Sequence, residues 1–118
     1  MHSSFNSILD LVFPAALKEY FELVSYTSEE DRLDFYLQEV NIPPSQYQAF
    51  KLASKGFYEE ITIQDFPIRG SQVFYHIKRR RWLNEGTGQV VFRDWSLVAK
   101  GTRITTEFAA FLKEIGRY

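Results

Sequence analysis

Four consecutive cations, Lys78-Arg79-Arg80-Arg81, stand inside a run from Gln72 to Leu83 whose other residues, among them Val73, Phe74, Tyr75, Ile77 and Trp82, are strand formers. Successive side chains of a strand face opposite ways, so Arg79 and Arg81 share one face and Lys78 and Arg80 the other. An unpaired charge inside a core costs several kcal/mol. The tip of the hairpin that this strand enters must therefore be solvated, matched with carboxylates, or laid on a polyanion.

The charge map sharpens that choice. Residues 1–66 hold eleven acidic and four basic side chains, and residues 67–118 hold ten basic and four acidic. The front half is thus at −7 and the back half at +6, which together give the net charge of −1. Such a split suits a basic face aimed at nucleic acid, slightly better than it suits two halves that neutralise each other. Arg93, Lys100 and Arg103 add to the basic back half, with Trp82 and Trp95 between the charges. Arginine forks match phosphates and guanine edges, and a two-stranded ribbon can enter a major groove. The two tryptophans suit cross-strand packing better than base stacking.

Periodicity sets the remaining elements. Phe5 to Phe21 reads as helix, with Ile8, Leu9, Val12 and Phe13 at helical spacing and Pro14 dividing it. Glu22 to Thr27 and Leu33 to Val40 read as a hairpin around Ser28 to Arg32; the second run also suits a short helix. Asn41-Ile42-Pro43-Pro44-Ser45 interrupts any regular element and marks a sub-boundary near residues 41–46 within one small domain spanning 1–118. A helical turn over Gln46 to Phe50 and an extended Phe57 to Ile63 follow, then a turn at Asp65 to Gly70. Gln72 to Leu83 and Gln89 to Val98 form the larger hairpin, joined by Asn84-Glu85-Gly86-Thr87-Gly88. Thr105 to Ile115 closes the chain as a helix with Phe108, Phe111, Leu112 and Ile115 on one face, Thr105 as N-cap and Gly116 as the stop. The expected fold class is α+β: N-terminal helix, antiparallel hairpin, a larger antiparallel sheet with a metal-free ribbon-like hairpin, and C-terminal helix.

Little here points to catalysis. The chain has no cysteine, which excludes disulfides and thiolate zinc sites and fits a reducing cytoplasm. Its histidines are His2 and His76, and the latter reads as a cross-strand structural residue. Gly86-Thr87-Gly88 lacks the Lys-Ser/Thr of a phosphate loop, and the acidic clusters lack the spacing of a calcium loop. No apolar run approaches the ~20 residues of a membrane span, and the first residues lack the basic start of a signal peptide. A non-enzymatic cytoplasmic protein without cofactor is expected.

The order Ile63-Gln64-Asp65-Phe66-Pro67-Ile68-Arg69-Gly70, then Val73 through Trp82, then Arg93-Asp94-Trp95, resembles the N-terminal region of insertion-sequence transposases of the ISAon type found in Bacteroidetes. Val98 to Phe108 is similar to the same group, so the likeness covers most of residues 17–118. More distantly the chain is similar to transposases with an N-terminal zinc ribbon, here without the ribbon's cysteines; packing by Phe66, Phe74, Trp82, Phe92 and Trp95 would have to replace the metal. The resemblance implies a non-catalytic, DNA-binding module of a split transposase, whose catalytic carboxylates belong to a separate chain. It implies that Arg69, Lys78, Arg79, Arg80, Arg81, Arg93, Lys100 and Arg103 contact the terminal inverted repeat. A rival expectation is a protein-interaction module, in which Phe108, Phe111, Leu112 and Ile115 dock on the catalytic transposase chain. An inactive fragment is a third.

Overall fold

This computed structural model describes residues 19–96, 98 and 106–118. Seven strands fall into two sheets: β1 (Phe21–Glu29), β2 (Arg32–Glu39), β3 (Leu52–Phe57), β4 (Ile61–Ile68), β5 (Ser71–Lys78), β6 (Arg80–Asn84) and β7 (Val90–Phe92). One helix, α1 (Thr106–Gly116), follows. The larger sheet has the order β1-β2-β5-β4 and the smaller one β3-β6-β7.

The larger sheet follows from period-2 patterning. Phe35 and Leu37 of β2, Val73, Tyr75 and Ile77 of β5, and Ile61 and Ile63 of β4 all point to one face and are buried. Tyr75 lies opposite Phe35 on one side and Ile63 on the other, so the three strands put their apolar positions in register. β1 and β2 form the hairpin read between residues 22 and 40, with a bulge between Leu23 and Ser25. β5 joins β2 in parallel and β4 in antiparallel, making the sheet mixed. The β4–β5 turn has Arg69 at φ 49° and Gly70 at φ 84°, the two positive values that a type I′ hairpin turn requires.

Over this face lies Trp95, stacked on Phe21 with ring centroids 5.0 Å apart and edge-on to Tyr20 at 5.5 Å. Leu112 and Ile115 of α1 complete the same cluster and are fully buried. Gly116 earns its place by close approach. A Cβ there would lie 2.8 Å from Ser96 Oγ and 3.3 Å from the Ser96 backbone nitrogen. Its backbone is not left-handed, so it does not act as the αL stop read from the sequence.

The α+β expectation is therefore corrected to a mainly β architecture with one short C-terminal helix among the described residues. The expected helix over Phe5 to Phe21 lies outside the described residues except at its end, where Tyr20 is in a turn and Phe21 opens β1. The single strand from Gln72 to Leu83 is also corrected: it breaks at Arg79 into β5 and β6, which belong to different sheets. Only β6 pairs with the short β7, and the chain turns helical at Trp95 instead of extending to Val98. Among the described residues, no helix is long and apolar enough to cross a membrane.

Candidate nucleic-acid interface

The break at Arg79 decides where each cation goes. Arg80 turns inward to Glu39, the last residue of β2, which is 0% exposed. The Arg80 backbone N–H donates to Glu39 Oε1 at 2.8 Å, and its Nε donates to the Glu39 carbonyl at 3.1 Å. Arg93 Nε donates to Glu39 Oε2 at 2.9 Å, and a second nitrogen of Arg93 donates to the Ile42 carbonyl. Burial pushes the Glu39 carboxyl above its ordinary range, and the bonds from Arg80 and Arg93 oppose that shift. Beside this clamp, Trp82 Nε1 donates to Asn41 Oδ1 at 2.9 Å.

Arg79 and Arg81 face the other way. Both guanidinium groups lie 5.4 Å from the centroid of the Tyr58 ring, within cation–π range. Arg81 stands opposite Phe92 in the β6–β7 register, and Phe92 meets Tyr58 edge-on at 5.6 Å. Arg81 Nε donates to the Lys55 carbonyl at 3.1 Å. Among the described residues neither Arg79 nor Arg81 pairs with a carboxylate, and the Arg79 Nε is buried without an acceptor. A buried charged donor left unbonded costs more than a neutral one, and the ring of Tyr58 offsets part of that cost.

Between this face and the end of α1 lies a cleft of about 420 Å³, lined by Tyr58, Arg79, Arg80, Phe92, Arg93, Asp94, Trp95, Gly116 and Tyr118. Phe92 is 54% exposed and Tyr118 59% exposed, so their rings stand open at its mouth.

The eight cations expected on one ribbon are thus divided. Arg79 and Arg81 share the outer face, while Arg80 and Arg93 are held on Glu39 and line the cleft from behind. Lys78 lines a separate depression with Tyr36 and Glu60. Arg69 sits at the far end of β5, some 25 Å from the cluster at ~3.3 Å per residue. Lys100 and Arg103, with the side chains of Phe108 and Phe111, lie outside the described residues. Leu112 and Ile115, expected as docking anchors, are spent inside the chain's own core. Sequence reasoning gave Phe92 a packing role, which its 54% exposure corrects, and missed Tyr58, Tyr118 and Glu39. Phe92 carried a legible signal, an apolar residue two positions from Val90 beside a tight turn; Glu39 carried none.

The outer face of the larger sheet holds a second polar group. Arg32 grips Asp34 through Nε at 2.8 Å and a second nitrogen at 3.0 Å. His76 Nε2 lies 2.6 Å from Asp34 Oδ1, its Nδ1 lies 3.1 Å from Thr62 Oγ1, and its ring stacks on Tyr36 at 4.5 Å. This is the cross-strand setting expected of His76. The bond from Arg32, then that from His76, holds the Asp34 carboxyl below the usual carboxylate range. Its contribution is present above the unfolded value of about 3.9 and is withdrawn as pH falls through the lower folded value. In urea titrations the stability gap between the native chain and Asp34→Asn should therefore hold above about pH 5 and close on acidification below about pH 4. A gap that stays constant to lower pH would show that Asp34 adds nothing through its charge.

Among the described residues no group of three His, Asp or Glu side chains is placed to hold a metal ion. No protein family, curated protein or solved structure matches this chain.

Proposed function

We propose that this chain is a non-catalytic DNA-binding module of an insertion-sequence transposase, working with a separately encoded catalytic chain and contacting the ends of the element. The observation that supports this reading best is the pair Arg79 and Arg81, which have no carboxylate partner among the described residues and flank Tyr58 on an outer face. Adjacent cations without a carboxylate partner, set beside an aromatic ring, suit contacts that displace counterions from phosphates. In this reading Arg80 and Arg93 act indirectly: by holding Glu39 they fix β6 and keep its alternate residues turned outward.

Binding of a labelled oligonucleotide bearing the element's terminal repeat should weaken steeply between about 50 and 200 mM salt. The double variant Arg79→Gln/Arg81→Gln should lower the slope of log affinity against log salt by about 2, close to one unit per cation. Arg69→Gln, at the distant turn, should leave the slope unchanged. Absence of salt-dependent binding, or an equal effect at Arg69, would remove the basis for the proposal.

A further inference from the structure

We infer that the cleft beside Tyr58 holds one unpaired nucleotide, its phosphate on Arg79 and its base against the rings of Phe92 and Tyr118. This rests on the nucleic-acid reading above and narrows it from duplex to single-stranded or locally opened DNA. Size is the first argument. The cleft of about 420 Å³ falls in the range of about 300–1,000 Å³ typical of small-ligand pockets. A duplex does not fit such a concavity.

Ring exposure is the second argument. Phe92 and Tyr118 line the cleft and are each more than half exposed, and Tyr58 meets Phe92 edge-on. A base stacked within a duplex offers only its edges in the grooves, whereas an unstacked base offers a face to an aromatic ring.

Charge is the third. Three guanidinium groups, those of Arg79, Arg80 and Arg93, line the cleft, and among the described residues only that of Arg93 is paired with a carboxylate, Glu39. The guanidinium of Arg80 reaches the Glu39 main-chain carbonyl and Ser54, and that of Arg79 rests on the Tyr58 ring. The cleft therefore carries excess positive charge, which suits a phosphodiester.

Competition binding on the whole chain tests this. A short single-stranded oligonucleotide, the same sequence as duplex, a deoxynucleoside 5′-monophosphate and inorganic phosphate would each be titrated against a labelled single strand. The single strand should compete best, and the mononucleotide should compete better than phosphate. Phe92→Ala should weaken single-strand binding roughly tenfold or more, the loss of one base stack, while leaving duplex affinity little changed. Phe92→Trp should restore it. Phe92 is an exposed residue, and circular dichroism with the unfolding midpoint would verify that the variants fold; Tyr118→Ala provides a second variant outside the sheet.

Duplex binding that exceeds single-strand binding and is unaffected by Phe92→Ala would overturn the inference and leave the general DNA-binding reading standing. Equal competition by phosphate and mononucleotide would also overturn it, by reducing the cleft to an anion site. Failure of both strand forms to bind would remove the wider reading too.

Discussion

Replacing Glu39 by alanine is expected to destabilise the fold by about 3–5 kcal/mol, the usual cost of removing one partner from a buried ion pair. Three things are lost together. Arg93 Nε loses its acceptor, the Arg80 backbone N–H loses its own, and two guanidinium groups remain in a partly buried setting with no carboxylate between them. Glu39→Gln keeps an oxygen for the Arg80 N–H and should cost less. The two variants also differ in pH response. Burial raises the Glu39 carboxyl in the folded chain, so the folded state holds this proton more tightly than the unfolded one. Its contribution is greatest below the unfolded value of about 4.3 and declines as pH rises to the folded value. Glu39→Gln should remove that decline. Urea midpoints measured across this range would show it, and an alanine variant as stable as the native chain would mean that the clamp is not what joins β2 to β6.

Trp95→Ala should cost a similar amount, about 3–5 kcal/mol, because it empties the largest aromatic site between the larger sheet and α1. The ring touches Phe21 and Tyr20, and belongs to the same cluster as Leu112 and Ile115. Its loss should loosen the helix and the start of β1 together, read as increased amide exchange in both segments. Val90→Ala, on an exposed edge of β7, should stay within about 0.5 kcal/mol and serves as the control. Equal effects at the two positions would contradict the placement of α1.

Of the larger sheet, β1, β2 and β5 were readable from local pattern, whereas Asp65 to Ile68 of β4 was read as turn; β3 of the smaller sheet was not read as a strand. Phe35 and Leu37, or Val73, Tyr75 and Ile77, recur at every second residue, and the pleat alone puts them on one face. Asn84 to Gly88 was likewise readable as a hairpin connection, since Gly88 N–H returns to the Asn84 carbonyl at 2.7 Å within the turn itself. At its described end the expected helix gives way to a strand pairing: Phe21 takes Glu39 as its partner in β1–β2, and a short aromatic-rich run follows whichever pairing it is offered.

The candidate interface was half legible. Four adjacent cations in a β-prone run require that some of them avoid the core, and period 2 places Arg79 with Arg81. Nothing local says that the strand stops at Arg79, that its two parts enter different sheets, or that Arg80 and Arg93 share one carboxylate. Those facts depend on Glu39, which lies 41 and 54 positions away in the chain.

By itself, then, the sequence determined the β1–β2 hairpin, the apolar alternation of β5, the turn at Asn84 to Gly88 and the need for a solvated cationic stretch, because these rest on interactions between residues a few positions apart. Which cations are neutralised, which aromatic rings stand beside the remaining ones, and what α1 covers were decided only by the tertiary structure. A charge's partner and a ring's exposure are set by whatever long-range contact satisfies burial and hydrogen bonding at once, and that contact has no local signature.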